Sequence, residues 1–252
     1  MRCAIISDVH GNLDALEAVL ADAGDVDQLW CLGDLVGYGP QPNECVALVR
    51  SRGALCVAGN HDWAAVGKLG TADFNPEAGE AALWTSSQLT PEHRAYLESL
   101  PEQLIAGASE DFTLVHASPR EPIWEYLTDI RIARLNFDYF QTSYCLVGHT
   151  HVPLIFQRPL PGERVPNYQT VVPRASQPIA LGPNRLIINP GSVGQPRDGY
   201  PQAAYMIYES GASADAGLLT LRRVTYPVVS VQQKMRDAGL PPRLITRLTY
   251  GW

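Results

Sequence analysis

The 252-residue chain lacks any apolar run approaching the roughly 20 residues that a membrane-spanning helix requires, and it has no cluster of lysine and arginine. The first absence argues against a membrane-embedded protein. The second removes the electrostatic footprint expected of a protein that grips long nucleic acid, and the formal net charge of -7 points the same way. CxxC spacing is missing too, so the five cysteines, an odd number, suggest neither a thiolate metal site nor a disulfide framework. Cys3, Cys31, Cys56 and Cys145 lie in strand-like runs and Cys45 in a helical pattern, which reads as buried, reduced thiols. Internal repeats and low-complexity tracts are missing. No charged leader precedes the first strand, and the expected location is the cytoplasm.

What is present is a chain rich enough in apolar residues, 46%, and poor enough in charge, 18%, to form a sizeable core. Its length fits one domain over 1–252, with a helical insert at about 63–104 and a β-rich excursion at about 153–185. The first ~60 residues read as β-α-β-α-β, with parallel strands and right-handed crossovers. Leu13, Leu16, Val19 and Leu20 recur at helical spacing between the first two strands. Asn75-Pro76-Glu77 and Thr90-Pro91-Glu92 are helix starts, each with an N-cap followed by proline at N1. Two strands of a hairpin are expected across Ser109-Glu110-Asp111, and a helix between Asp129 and Tyr139. The excursion reads as a β-hairpin with turns such as Pro161-Gly162-Glu163. Residues 203–208 and 218–224 suggest an antiparallel pair, and one or two short helices close the chain.

Several apolar runs end in the same kind of residue. Ala4-Ile5-Ile6-Ser7 leads to Asp8-Val9-His10, and Leu29-Trp30-Cys31-Leu32-Gly33 leads to Asp34. Ala54 to Ala58 leads to Gly59-Asn60-His61-Asp62, Phe112 to Val115 leads to His116, and Cys145 to Val147 leads to Gly148-His149-Thr150-His151. Open α/β sheets bind ligands at the carboxyl ends of their strands. Of six histidines in the chain, all but His93 fall at these ends; His93 itself reads as a solvated residue of the insert. Asp8, His10, Asp34, Asn60, His116, His149 and His151 are therefore candidate metal ligands. Imidazole with carboxylate and amide oxygen, and no thiolate, suits Mn, Fe, Co, Ni or Zn better than Ca or Mg. Seven ligands exceed the usual first shell of one ion and suit two, with Asp34 shared. In an extended segment residues i and i+2 point the same way, so Asp-x-His and His-x-His are each expected to grip one ion.

Asp8-Val9-His10, Gly33-Asp34, Gly59-Asn60-His61-Asp62, His116 and Gly148-His149-Thr150-His151, in that order, closely resemble the five-block signature of the calcineurin-like metallophosphoesterases. Gly33 to Pro40 and Asn189-Pro190-Gly191-Ser192 resemble the small bacterial and archaeal phosphodiesterase branch. The resemblance covers about residues 1–200. It implies an α/β (α+β) four-layer αββα sandwich, two mixed β-sheets face to face with helices outside. It implies two divalent ions, manganese first, held by Asp8, His10 and His151 on one side and Asn60, His116 and His149 on the other, with Asp34 between. His61 would protonate or stabilise the leaving oxygen. The expected reaction is hydrolysis of a small phosphodiester or phosphomonoester by in-line attack of a metal-bridging hydroxide.

One departure narrows the substrate. The protein serine/threonine phosphatases of this superfamily carry Asp-Arg shortly after the bridging aspartate, where this chain has Gly37 and Tyr38. His61 lacks that carboxylate, and Arg197 is the candidate to contact phosphate instead, with Asn60 and His61 beside it. Two alternatives stand beside the leading reading: hydrolysis of a dinucleoside polyphosphate, and a catalytically silent protein-binding scaffold of the kind found in retromer. The sequence leaves the oligomeric state open.

Overall fold

The computed structural model describes residues 1–108, 111–160, 167–211 and 217–252. The expected tips at Ser109-Glu110 and Pro161-Gly162-Glu163 lie outside the described residues. In chain order the elements begin with β1 (Arg2–Ile6), α1 (Leu13–Ala23), β2 (Gln28–Cys31), α2 (Pro42–Ser51) and β3 (Leu55–Cys56). The helices α3 (Asn60–Val66), α4 (Pro76–Gln88) and α5 (Pro91–Ser99) follow, then β4 (Gln103–Ala106), β5 (Phe112–Val115) and α6 (Ile130–Asn136). The remainder is β6 (Tyr144–Leu146), β7 (Leu154–Gln157), β8 (Gln169–Val171), β9 (Pro178–Ala180), β10 (Leu186–Asn189), β11 (Ala203–Glu209), β12 (Leu218–Val224), α7 (Val228–Asp237) and α8 (Pro242–Tyr250).

These strands form two mixed sheets, ordered β3-β2-β1-β11-β12-β9 and β4-β5-β6-β10-β7-β8. β1, β2 and β3 pair in parallel, with Ile5 opposite Trp30 and Trp30 opposite Leu55, as the β-α-β-α-β reading requires. β11 pairs antiparallel with both β1 and β12. In the second sheet β5, β6 and β10 run parallel, which brings the ends of β5 and β6 together.

The period of two along each strand builds the layers. On β1, Cys3 and Ile5 face the second sheet, while Ala4 and Ile6 face the helices. On β11, Ala204, Met206 and Tyr208 join the inter-sheet core, and Ala203, Tyr205 and Ile207 pack under helices. On β6, Tyr144 and Leu146 point inward and Cys145 points to a third cluster under α6. Strands buried on both faces read as continuous apolar runs. The result is the four-layer sandwich: helices, sheet, sheet, helix.

Local chemistry fixes the helix starts. The Asn75 side chain accepts from the Ala78 N–H at 2.9 Å and Thr90 from His93 at 3.3 Å, both followed by proline. Asp129 caps α6 by accepting from Arg131 and Ile132. Residues of α4 and α5, among them Ala78, Ala81 and Leu97, belong to the same core as α1 and α2. The helical segment therefore extends the outer layer of the first sheet. The excursion departs from the single hairpin expected. β7 and β8 pair with each other in the second sheet, whereas β9 crosses to pair with β12 at the edge of the first.

Trp30 sits between the sheets, fully buried, with Phe112 at 5.1 Å and Tyr208 at 6.2 Å between ring centroids. Trp30→Ala is expected to destabilise the protein by about 3–5 kcal/mol, because the sheets close incompletely over the cavity. Denaturant midpoints with unchanged m-value measure this, and a loss under ~1 kcal/mol contradicts the packing described.

Candidate metal centre

The candidate ligands are delivered by turns that follow the strands. Asp8, His10, Asp34, His149 and His151 all adopt positive φ, between 50° and 62°. L-residues enter this left-handed region at a cost of about 1–2 kcal/mol each. Such strain persists where surroundings over-determine it, and here the backbone is pinned: Asp8 N–H to Gly33 O at 3.1 Å, His10 N–H to Asp34 O at 2.9 Å, and His149 N–H to Asp8 Oδ2 at 3.2 Å. The expectation that Asp-x-His and His-x-His act as extended i, i+2 pairs is therefore corrected. The chain is coiled at these positions, and His149 and His151 go to different clusters.

The first cluster joins Asp8, His10 and His151. His151 Nε2 lies 3.2 Å from Asp8 Oδ1 and 3.2 Å from His10 Nε2. The second joins Asp34, His116 and His149. His116 Nε2 lies 3.3 Å from Asp34 Oδ2, 3.2 Å from His149 Nδ1 and 3.0 Å from Asn60 Oδ1. Asp34 Oδ2 is also 3.6 Å from His10 Nε2, so this carboxylate touches both groups.

The proton positions show why these clusters want a cation. His10 Nδ1 meets the Val36 carbonyl at 3.1 Å, His116 Nδ1 the Leu32 carbonyl at 2.8 Å, and His151 Nδ1 the Gln195 carbonyl at 2.6 Å. A carbonyl only accepts, so each Nδ1 carries the proton and each Nε2 presents a lone pair. In the first cluster two imidazole lone pairs and a carboxylate oxygen then face one another. In the second, His116 Nε2 faces a carboxylate oxygen and an amide oxygen, a place that either a second proton on the ring or a cation must fill. Such acceptor-only convergence is repulsive until a cation enters it, and carbonyl-oriented imidazoles are the usual support of a metal ligand. Asp8 Oδ1, Asp34 Oδ2 and His149 Nε2 are buried with no hydrogen-bond partner among the described residues. The donor set fits divalent ions of the Mn, Fe, Co, Ni and Zn group.

Burial sets the electrostatics. It raises the Asp8 carboxyl to a pKa of about 7, and it pushes His10, His149 and His151 well below the ordinary histidine value. Burial also works to raise Asp34, but the charges of His116, His61 and His10 outweigh it and hold Asp34 below the carboxylate range. Burial lowers His116, and Asp34 in turn lifts it to about 9. The pair is the residual ion pair of a site short of positive charge.

His61 stands at the N-terminal turn of α3. Its backbone N–H donates to Asp34 Oδ1 at 2.9 Å, and its Nδ1 is buried and unpartnered among the described residues. Its ring packs edge-on to His10 at 4.9 Å and against Tyr38 at 4.3 Å. A Cβ at Gly37, which has φ +89°, would lie 2.6 Å from His61 Nδ1, so the glycine standing in the place of the phosphatases' aspartate is what lets His61 occupy this position. Arg197 joins the rim: its Nη2 donates to Tyr38 Oη at 3.3 Å and Gln195 Oε1 at 3.2 Å, and its buried Nε has no partner among the described residues. His93 is elsewhere, hydrogen-bonded to Asn43 at 2.9 Å.

Residues that the sequence reading passed over hold the candidate ligands in place. Asp62 Oδ2 accepts from the Asp34 and Gly59 N–H groups at 2.8 and 2.9 Å, and Oδ1 from Val36 at 3.2 Å. Ser192 Oγ donates to the Asp8 carbonyl, and Asn189 Nδ2 donates to the Gly148 carbonyl. Their signal was their position in the quoted blocks beside a ligand, but nothing in the residue type alone separates an orienting carboxylate from a ligating one.

Overlapping buried groups of histidine and carboxylate, Asp8-His10-His151, His10-Asp34-His61 and Asp34-His116-His149, meet at the strand ends of a double sandwich and define a metallohydrolase-like centre. The family model described as the calcineurin-like phosphoesterase superfamily domain matches residues 1–212. A metallophosphoesterase from Sphaerobacter thermophilus has a TM-score of 0.86 and 52% identity, covering 100% of this chain and 99% of that one. An uncharacterized protein of Methanocaldococcus jannaschii is 36% identical over 254 residues, 98% of this chain and 97% of its own length. A symmetrical bis(5'-nucleosyl)-tetraphosphatase of Vibrio campbellii is 30% identical over 140 residues, 53% of this chain and 50% of that protein. The chain belongs to the calcineurin-like phosphoesterase superfamily and is a metal-dependent phosphoesterase. No helix among its described residues is long and apolar enough to cross a membrane.

Asp62→Asn replaces an acceptor of three N–H bonds with an amide whose Nδ2 cannot accept. It is expected to weaken metal affinity about 10–100-fold at unchanged circular dichroism, read by calorimetric titration with Mn²⁺. Wild-type affinity in this variant would mean Asp62 is only a packing residue.

Proposed function

We propose that the protein hydrolyses a small phosphate ester, a phosphodiester or phosphomonoester, at a pair of divalent ions. Asp8, His10 and His151 would hold one ion, Asn60, His116 and His149 the other, and Asp34 both. Manganese is the first choice, with Fe, Zn, Ni or Co as alternatives. When bound, the ions would supply Lewis acidity and lower the pKa of water at the site. The observation that carries this reading is the shared carboxylate: Asp34 Oδ2 lies within 3.6 Å of a ring nitrogen from each cluster.

The chain's own residues would do the rest. Two divalent ions bring a larger charge than Asp8 and Asp34 return, so an anionic phosphate is attracted although the protein is acidic. Arg197 would hold phosphate through its unpartnered Nε, and Asn60 and His61 would stand on the same oxygens. His61 would donate a hydrogen bond or proton to the departing oxygen. Burial lowers its pKa to about 4, and an anion bound beside it counters that effect. The lack of an Asp-Arg pair at Gly37 and Tyr38 favours a small ester over a phosphoprotein.

A second reading, pyrophosphate hydrolysis of a dinucleoside polyphosphate, is favoured by the similarity to the bis(5'-nucleosyl)-tetraphosphatases, although the chain spans about half the length of those relatives. A silent scaffold has less support, because every candidate ligand and His61 is in place.

With Mn²⁺ added, the protein is expected to hydrolyse bis(p-nitrophenyl) phosphate, and His61→Ala is expected to reduce kcat about 10²–10⁴-fold with metal content unchanged. Asp34→Asn is expected to lose bound metal and turnover together. Inactivity of the wild type with every divalent ion in the group would favour the scaffold. Gly37→Ala is expected to mimic His61→Ala, since the added methyl displaces that ring. Parallel assays with phosphomonoesters, cyclic and linear diesters, and dinucleoside polyphosphates separate the two hydrolytic readings.

A further inference from the structure

Three aromatic rings that the reaction does not use form an arc along one rim of the metal centre. Phe74, from the segment before α4, sets its ring 5.0 Å from His61, edge to face. Trp124 lies 4.9 Å from Phe74 and 6.1 Å from His149. Tyr126 packs on the His149 ring at 4.0 Å. Phe74 and Trp124 are only partly buried, and Tyr126 is 47% exposed. Two of these rings come from the loop before α6 and one from the segment between α3 and α4, so distant parts of the chain converge on one feature. Burial raises the Tyr126 phenol while Arg197 opposes it, which puts the phenol beside the guanidinium.

The arc has a chemical consequence. An ester substituent of a phosphate held at the ions and Arg197 that leaves past His61 and His149 meets Phe74, Trp124 and Tyr126, the partly exposed aromatic rings packed on those two histidines. Partly exposed aromatic faces next to an anion site match a planar π-system joined to a phosphate. A glycerol or bare ribose substituent presents no π-face to those rings, whereas a base does.

Resting on the phosphoesterase reading above, we propose that Phe74, Trp124 and Tyr126 form a stacking platform that selects phosphate esters carrying a planar aromatic base, a nucleotide in biological form. The helical segment thereby contributes to specificity through Phe74, and the 117–129 loop through Trp124 and Tyr126.

The test compares two ligands that differ only in the base. Adenosine 5'-monophosphate and ribose 5-phosphate are titrated calorimetrically into the full chain in Mn²⁺. The nucleotide is expected to bind about tenfold tighter or more in the wild type. Trp124→Leu and Tyr126→Leu, alone and combined, are expected to remove that preference, read as the ratio of the two affinities in each variant, and Trp124→Phe is expected to retain it. Equal affinities for the two ligands in the wild type, or a preference that survives the double variant, overturn the platform. Hydrolysis of bis(p-nitrophenyl) phosphate is assayed separately. Its absence would count against the reaction, whereas equal binding of base-bearing and base-free phosphates alongside normal turnover would count against the platform alone.

Discussion

Lone pairs pointed at lone pairs inside a protein are an unfavourable arrangement, and this fold is built to hold several of them. His10 and His151 have their protons committed to backbone carbonyls, and so does His116. Their free nitrogens then converge with Asp8, Asp34 and the Asn60 oxygen in a site that is almost wholly buried. Burying charged and polar acceptors without donors costs several kcal/mol, so the sequence maintains a local instability that a cation removes. The parallel strands, the left-handed turns after them and the hydrogen bonds between those turns are the apparatus that maintains it.

The apparatus explains details that are otherwise arbitrary. Glycine at position 37 makes room for the His61 ring, and glycine at 59 makes room for Asp34, whose Oδ1 would lie 2.1 Å from an added Cβ. Asp62 is spent on backbone N–H groups of the Asp34 and Gly59 turns, where a neutral side chain could not accept as many bonds. The inter-sheet core around Trp30, Phe112 and Tyr208 keeps the two strand-end clusters in register, because each sheet supplies ligands to the same site. A shift of one sheet against the other would separate Asp34, at the end of β2, from His116, at the end of β5.

Much of this was legible in the residues, for physical reasons. β1, β2, β5, β6 and β10 are buried on both faces, so each left a continuous apolar run ending in a polar residue, and the candidate ligands followed from that ending. The caps at Asn75 and Thr90 were legible because a side-chain acceptor before a helix has a local signature. The turn geometry was not. Asp-x-His and His-x-His look like alternating strand residues, and only tertiary hydrogen bonds coil them into left-handed turns; the division of His149 and His151 between two clusters came from the family resemblance, not from the spacing. The partner of β9 was likewise hidden: Pro178 to Leu181 reads as strand-like, but its residues carry nothing that says which sheet they join. The aromatic arc was invisible for the same reason: Phe74 and Trp124 lie 50 positions apart and meet only through the packing of two separate segments.

The central claim is that one carboxylate joins two cation sites. Crystals of the protein grown with Mn²⁺, measured above and below the manganese absorption edge, test it most directly. The account predicts two anomalous peaks, one against Asp8, His10 and His151 and one against Asn60, His116 and His149, with Asp34 oxygens on both. A single peak, or two peaks with Asp34 bound to only one, would contradict it.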